Sequence, residues 1–275
     1  MISPSVNDHS SNIDQARRAF SAQAPHFDSY ERENVIVQWM RQQVYKHEQE
    51  FLAPGDSILE LNAGTGIDAI HYAQLGHSIF AIDNADGMLG ELEKKVKASH
   101  LEDKIGYALC SYTELRTLPP RRFDHVLSNF GGLNCVADLG PVAEQLPHFL
   151  KPGGTITFVI MPPVCPWELL HLAKGNVRMA FRRFSKNGAT AHIEGFQFLA
   201  YYFSPRQIVA CFDKRFTLAK LRGLASLSPP PFMFTLAEKY PRLYKVLREL
   251  DEQVSTLPPF NRWADHYIIT LRYSP

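Results

Sequence analysis

The chain has few cysteines, and they are far apart. Among its 275 residues there are four, Cys110, Cys135, Cys165 and Cys211. Structural zinc sites use closely paired cysteines, and this spacing offers no such pair. We therefore expect reduced, mostly buried thiols and no bound metal.

A strong net charge and a long apolar run are also absent. The formal charge of +1 creates no field that would gather nucleic acid or an anionic membrane. No apolar run reaches the roughly 20 residues of a membrane span, and residues 1–12 lack the basic start and apolar core of a secretory signal. We expect a cytoplasmic protein that binds neither nucleic acid nor membrane, with residues 1–12 as a disordered tail.

The most informative stretch present runs from Ile58 to Gly66. An apolar run ending at Leu61 indicates a buried strand, and Gly64 and Gly66 permit a sharp turn that brings backbone amides close to a ligand. A helix and a second strand follow, and that strand ends in Asp83, 83 − 66 = 17 residues past the last glycine. An acidic residue about 20 residues past such a turn meets ribose hydroxyls in doubly wound folds. The pattern predicts a nucleoside site.

Strands and helices continue to alternate after Asp83, which predicts a parallel, doubly wound sheet. We expect further core strands at 105–109, 123–128, 155–160, 216–224 and 266–273, and a helix at about 138–150. The chain divides into a tail at 1–12, a helical flap at 13–53, a core at 54–161, a cap at 162–203 and a C-terminal part of the core at 204–275. The cap is predicted to hold a helix at 167–184 and an extended pair at 191–193 and 196–203, and the C-terminal part a helical insertion at about 228–264.

Two cofactor classes fit the glycine turn, because Gly64-x-Gly66-x-x-Ala69 also matches the dinucleotide fingerprint. Glu60, which precedes the glycines, is the residue that argues against the dinucleotide class. The motif from Glu60 to Gly66 resembles the first motif of class I S-adenosylmethionine-dependent methyltransferases. Asp83, residues 123–130 and residues 150–154 match later motifs of that family in the expected order.

The resemblance implies a Rossmann-like, doubly wound, mostly parallel seven-stranded sheet with N-terminal helices and a cap insertion after strand five. It also implies S-adenosyl-L-methionine as cofactor, Asp83 on the ribose, Gly64 and Gly66 beside the methionine moiety, and Glu60 near its amino group. Phe27-Asp28, with Tyr30 nearby, loosely matches a flap over the methyl donor. The residues expected to bind the cofactor are Glu60, Asn62, Ala63, Gly64, Gly66, Asp83, Asn84, Met88, Ser111, Tyr112 and Asn129.

Methyl transfer from a sulfonium needs alignment more than a catalytic group, so the sequence names few catalytic candidates. Asn129 lies in the loop after the fourth strand, beside the expected cofactor. If the acceptor must lose a proton, the candidate bases are His171, His192 and His266, and we rank His192 first because it falls in the cap.

The predicted function is transfer of a methyl group to O, N or C of a small-molecule metabolite, as in small-molecule biosynthesis. Two alternatives stay open: a nicotinamide-dependent oxidoreductase that uses the same glycine turn, and a regulatory protein that binds S-adenosylmethionine without turnover. No residue pattern assigns the acceptor or the oligomeric state.

Overall fold

The computed structural model describes residues 9–275, with side chains from residue 11 onward. Residues 1–8 of the expected tail lie outside this part. The prediction is wrong for residues 9–12, which open the first helix. Asn12 is buried there because its amide donates to the carbonyls of Cys135, at 2.9 Å, and Leu199, at 3.1 Å.

Two helices precede the sheet, α1 (His9–Glu33) and α2 (Val35–Glu48). Asn34 separates them, and its side chain caps α2 by accepting the amides of Ile36 and Val37. Pro25 lies inside α1 and has no N–H for the carbonyl of Ser21, four residues earlier. None of the helices in the described part combines the length and hydropathy that a membrane crossing needs.

The core is a seven-stranded sheet in the order β3-β2-β1-β4-β5-β9-β8. Strands β1 to β5 run parallel, while β9 lies antiparallel between β5 and β8. The expected sheet, with its N-terminal helices, is therefore confirmed. Its strands are β1 (Ser57–Leu61), β2 (Ser78–Asp83), β3 (Ile105–Leu109), β4 (Phe123–Ser128), β5 (Leu150–Ile160), β8 (Phe216–Leu224) and β9 (His266–Tyr273).

The strand order reverses between β1 and β4, which places a crevice at their carboxyl ends. Helices α3 (Ile67–Gln74) and α4 (Asp86–Ala98) follow β1 and β2. The helix expected at 138–150 is shorter, because α5 (Gly140–Gln145) passes into a 3₁₀ turn (Leu146–His148) that contains Pro147. Strand β5 accordingly begins at Leu150 instead of residue 155.

The cap helix expected at 167–184 is broken into short pieces. Gly175, with φ of 70°, ends a 3₁₀ turn, and Asn176 then caps a new helix. The pieces are α6 (Pro166–Leu169), two 3₁₀ turns (Leu170–Lys174 and Arg182–Phe184) and α7 (Val177–Phe181). The expected extended pair is present as the hairpin β6 (Ala189–Ile193) and β7 (Phe196–Ala200).

The C-terminal part returns to the sheet. Helix α8 (Pro205–Ala210) starts with a Ser204 capping box, and α9 (Phe234–Lys239) and α10 (Pro241–Val254) fill the insertion between β8 and β9. Our division of the chain at residues 53, 161 and 203 stays a prediction.

Asp251 anchors α10 to the loop after β8. Its carboxylate is 1% exposed and accepts the amides of Leu227 and Ser228, each at 2.7 Å. Burial raises the pKa of this carboxyl to about 6, although the amide bonds oppose the shift.

We expect Asp251 to make unfolding pH-dependent. Between the ordinary aspartate pKa of about 4 and the folded value of about 6, the folded state keeps a proton that the unfolded chain has lost. Its contribution of about 3 kcal/mol to the free energy of unfolding is complete below pH ~4 and disappears as the pH rises through about 6. Denaturant titrations at several pH values should show this slope in the wild type and lose it in Asp251→Asn.

Glu249→Gln is the matched control, because Glu249 is exposed on the same helix. This variant should keep the wild-type slope. Identical pH dependence in wild type and Asp251→Asn would contradict the assignment.

Candidate active site

A cavity of about 480 Å³ lies at the carboxyl ends of β1, β2 and β4. Helix α1 and the β6–β7 hairpin supply further walls, the hairpin through Ala191, Ile193, Phe198 and Ala200. Phe198 packs against Phe20 of α1, with ring centroids 5.7 Å apart. The cavity has the size and largely apolar lining of a small-molecule site.

The glycine turn forms one wall of this cavity. Gly64 and Gly66 have φ of 57° and 77°, a region that disfavours side chains. Gly64 lines the cavity, whereas a Cβ on Gly66 would meet Leu92 Cγ at 2.7 Å. Gly66 therefore serves close packing of the turn on α4 and does not itself line the cavity.

Asp83 ends β2 and lines the cavity beside that turn. Its two oxygens accept the amides of Gly64 and Ala85, each at 2.8 Å. Burial raises the pKa of the carboxyl, and the backbone amides partly offset the rise. Each carboxylate oxygen retains a second lone pair, so hydroxyl groups of a ligand can still donate to Asp83.

Asn62, directly after β1, joins the ends of β1 and β4 by hydrogen bonds. Its amide donates to the carbonyl of Asn129 at 3.1 Å, and its oxygen accepts the hydroxyl of Ser128 at 2.6 Å. Gly132 is required opposite, because a Cβ there would lie 2.3 Å from Asn62 Cγ. Asn62 thus fixes the spacing of β1 and β4 at the cavity floor.

Most of the other expected cofactor residues also line the cavity. These are Ala63, Asn84, Met88, Tyr112 and Asn129. Tyr112 donates its hydroxyl to the carbonyl of Gly132 at 3.1 Å. Ser111 is outside the lining, because its hydroxyl caps the following 3₁₀ turn at the amide of Thr113. The expectation that Ser111 binds the cofactor therefore finds no support in the geometry.

Asp68, in the first turn of α3, is the centre of a buried polar network that the sequence reasoning missed. It accepts bonds from Arg41, from the Tyr45 hydroxyl at 2.7 Å and from the Asn129 amide at 2.9 Å. Arg41 also pairs with Glu31 of α1. Burial opposes ionisation of Asp68, but Arg41 and the other hydrogen bonds outweigh it and lower its pKa.

Asn129 lines the cavity, and its side-chain oxygen accepts the amide of Phe130 at 2.8 Å. Its amide helps to position Asp68, and its expected contact with a reacting atom stays a prediction. Glu60 lies behind the glycine turn, outside the lining, and is 2% exposed. Burial, reinforced by the negative charge of Asp68, raises its pKa well above the usual range, and within residues 9–275 no hydrogen bond reaches its Oε2.

The flap expected at Phe27-Asp28 is anchored from both sides. Phe27 and Tyr30 line the cavity, while Asp28 accepts the Thr65 hydroxyl at 2.5 Å and pairs with Lys95 at 2.7 Å. Helix α1 also crosses the start of α4 backbone to backbone: a Cβ on Gly87 would lie 2.5 Å from the carbonyl oxygen of Ser21. Helix α1 is thus fixed over the cavity by polar contacts and by a close crossing.

The candidate bases separate clearly. His192 is exposed on β6, because the alternation that turns Ala191 and Ile193 into the cavity turns His192 away from it. Its ranking as first candidate is therefore a wrong prediction. His171 is also outside the lining, whereas His266 lines the cavity at the start of β9.

His266 Nδ1 lies 2.9 Å from Asp265 Oδ2. Asp265 in turn pairs with Arg183 of the cap at 2.7 Å, and Arg183 pairs with Glu168, also at 2.7 Å. Cys165, Glu168 and Asp265 lie close enough to hold a metal ion, but Arg182 and Arg183 already pair with the two carboxylates.

The polar groups of the site fit S-adenosylmethionine. Asp83 offers acceptors for ribose hydroxyls, the Gly64 turn leaves bare backbone at the cavity wall, and the unpartnered Glu60 oxygen suits a nearby ammonium group. The cofactor would supply an activated methyl group on a sulfonium. The chain itself would supply binding, alignment and exclusion of water.

Comparisons with known proteins agree with this geometry. Residues 58–154 match a family model described as "Methyltransferase domain". A demethylmenaquinone methyltransferase of Symbiobacterium thermophilum is 31% identical over 147 residues, covering 50% of this chain and 55% of that protein. The chain thus spans about half the length of the demethylmenaquinone methyltransferases that it matches.

Two solved structures show the same fold at low identity. The Burkholderia thailandensis 1,6-didemethyltoxoflavin-N1-methyltransferase, with its acceptor and S-adenosylhomocysteine bound, is 14% identical, with a TM-score of 0.60 over 100% of this chain and 94% of that one. A [4+2]-cyclase is 12% identical, with a TM-score of 0.61 over 94% and 95% of the two chains. The sequence motifs, the sheet order and the match at residues 58–154 thus agree that this part of the chain is similar to S-adenosylmethionine-dependent methyltransferases.

Proposed function

We propose that this protein transfers a methyl group from S-adenosylmethionine to a small-molecule acceptor. One observation carries the proposal: a single cavity is lined both by the cofactor-type residues Gly64 and Asp83 and by residues that belong to no cofactor motif, Met161 and His266. A donor and an acceptor bound in one cavity would be held in contact, which is the main requirement of this reaction.

Each cofactor residue has a proposed task. Asp83 would accept the ribose hydroxyls, Gly64 would admit the methionine moiety, and Glu60 would attract its amino group directly or through water. Asn84, Met88 and Tyr112 line the cavity near Asp83 and would surround the adenosine. Gly66, Asn62 and Asn129 would act by shaping the turn and the crevice.

The acceptor is proposed to be an apolar metabolite. Phe20, Phe27, Phe130 and Phe198 line the cavity, and aromatic side chains suit a planar or apolar ligand. Because three curated relatives are demethylmenaquinone methyltransferases, demethylmenaquinones are the first compounds to test. The proposed partner is this small-molecule acceptor, and the proposed location is the cytoplasm.

Calorimetric titration with S-adenosylhomocysteine, NAD and NADP tests the cofactor class. We expect micromolar binding of S-adenosylhomocysteine alone. Binding of a nicotinamide cofactor instead would contradict the proposal and favour an oxidoreductase. Binding of S-adenosylhomocysteine without transfer of labelled methyl to any acceptor in metabolite extracts would favour a non-catalytic regulatory protein.

Asp83→Ala should weaken S-adenosylhomocysteine binding by about 1.5–3 kcal/mol, the scale of hydrogen bonds to a charged group. That is roughly a 10- to 150-fold rise in Kd, measured by the same titration. Asp103→Ala is the control, because Asp103 is exposed in the turn before β3. Equal affinities of wild type and Asp83→Ala would remove Asp83 from the ribose.

Gly87→Ala should weaken the same binding about tenfold, or ~1.4 kcal/mol, by pushing α1 away from the cavity. The added Cβ would meet the Ser21 carbonyl, and backbone atoms cannot move aside without shifting the helix. Gly90→Ala, in the same helix, meets nothing within 4 Å and should leave the affinity unchanged. If both variants bind like wild type, the position of α1 does not control cofactor affinity.

A further inference from the structure

Four residues that are not among the expected cofactor residues form one patch of the cavity wall: Phe130, Gly131, Met161 and His266, here called the His266 wall. A Cβ on Gly131 would lie 3.2 Å from Met161 Cε and 3.4 Å from His266 Nε2. The Phe130 and His266 rings meet edge to face, with centroids 6.0 Å apart. The imidazole is therefore the polar side chain of this wall, and the missing side chain at Gly131 leaves space beside it and beside Asn134 Oδ1, 3.1 Å from the same Cβ position.

The proton on His266 is placed by its neighbour. Nδ1 lies 2.9 Å from Asp265 Oδ2. Burial would raise the pKa of Asp265, but attraction to His266 and Arg183 prevails and holds it well below the usual range. A carboxylate accepts and cannot donate, so the neutral imidazole carries its proton on Nδ1 and has a lone pair on Nε2.

Nε2 faces the cavity without a competitor. Among the described residues, this imidazole forms a hydrogen bond through Nδ1 and none through Nε2. The ring is 7% exposed and lines the cavity, so this small exposed surface faces the ligand space. A polar group aimed into an apolar cavity is positioned to meet a polar atom of the ligand.

The cap fixes Asp265 from the other side. Arg183, 4% exposed, donates to the Asp265 carbonyl oxygen at 2.8 Å as well as to its carboxylate at 2.7 Å. Glu168 accepts from Arg183 at 2.8 Å and from Arg182 at 2.7 Å, which fixes Arg183 in turn. A base that is oriented by a carboxylate, itself held by further groups, is the arrangement that general-base catalysis uses.

We propose that His266 is the general base for an apolar acceptor bearing a phenol-type hydroxyl, and that Asp265 is its positioning residue. The proposal rests on the methyltransferase function above. The hydroxyl would donate to Nε2, and its proton would pass to Nε2 as the oxygen–methyl bond forms and the sulfur–methyl bond breaks. The positive charge thus moves from the sulfonium to the imidazolium, where Asp265 stabilises it.

The hydroxyl is assigned to the phenol class by acidity. A phenol has a pKa of about 10, within reach of an imidazole base with an ordinary pKa of about 6.5. A neutral amine needs no base before it attacks a methyl group, so this dyad would have no task with such an acceptor.

Binding of 2-naphthol and naphthalene to protein saturated with S-adenosylhomocysteine tests the assignment. The two probes have the same ring system and differ only in the hydroxyl. We expect wild type to bind 2-naphthol about tenfold more tightly than naphthalene, the effect of one hydrogen bond of ~1.4 kcal/mol. His266→Phe should abolish this preference, and His192→Phe, at the exposed histidine on β6, should keep it.

The outcomes separate the two proposals. If S-adenosylhomocysteine does not bind wild type, the proposed function fails. If it binds wild type and His266→Phe alike, but wild type shows no preference for 2-naphthol or His266→Phe retains one, the assignment of His266 is overturned. Failure of both probes to bind overturns the acceptor class.

Nitrogen NMR of labelled histidine gives a second readout that needs no acceptor. Neutral His266 should carry its proton on Nδ1 in wild type, and Asp265→Asn should shift the population toward the Nε2 tautomer, since an amide can donate to Nδ1. A wild-type spectrum with the proton on Nε2 would overturn the dyad even if the variant fails to fold. An unchanged tautomer in a folded Asp265→Asn protein would remove Asp265 as the positioning residue.

Discussion

The buried carboxylate of Asp68 is the interaction on which the architecture of the site depends. It lies at the start of α3 and joins α2, through Arg41 and Tyr45, to the loop after β4, through Asn129. Burying a carboxylate is costly unless it is paired and fully hydrogen-bonded, and here both conditions are met. Because Arg41 also pairs with Glu31 of α1, the same charge ties both N-terminal helices to the sheet.

This arrangement explains why the N-terminal helices can form a wall of the cavity. Arg41 lies over the Phe130 ring, 4.5 Å from its centroid, and pairs with the carboxylates of Glu31 and Asp68. Without Arg41, Glu31 and Asp68 would face each other unneutralised, and burial already raises the pKa of Glu31. The position of α1 over the crevice is therefore an electrostatic requirement as well as a packing one.

The local parts of the fold and the site were predictable from sequence. Strands β1 to β4 are short, largely apolar segments, and two glycines predict the turn before α3. The polar networks were not predictable, because their members are distant in the chain: Arg41 lies 27 residues before Asp68, and Arg183 lies 82 before Asp265. The signal that was available for the second network is the adjacent Asp265-His266 pair at the start of a predicted strand.

The error on His192 has a related cause. The hairpin was predicted, but its sequence does not tell which of its two faces packs on α1, and a strand turns alternate residues to opposite faces. Ala191 and Ile193 face the cavity with Phe198, while His192 faces outward. A histidine in a cap becomes a candidate base only when the packed face is known.

The two buried arginines, Arg41 and Arg183, have the same role: each pairs with two carboxylates from different segments of the chain. Arg41 pairs with carboxylates of α1 and α3 beside the glycine turn, and Arg183 pairs with Glu168 of the cap and with Asp265, the residue before the last strand. Fixed charges that are already paired would need no reorganisation if a positive charge moved across the cavity in the proposed methyl transfer. The fold alone does not require this, since a [4+2]-cyclase shares it. The sheet alone therefore does not assign methyl transfer, and these paired charges are the part of the structure that the proposed reaction would use.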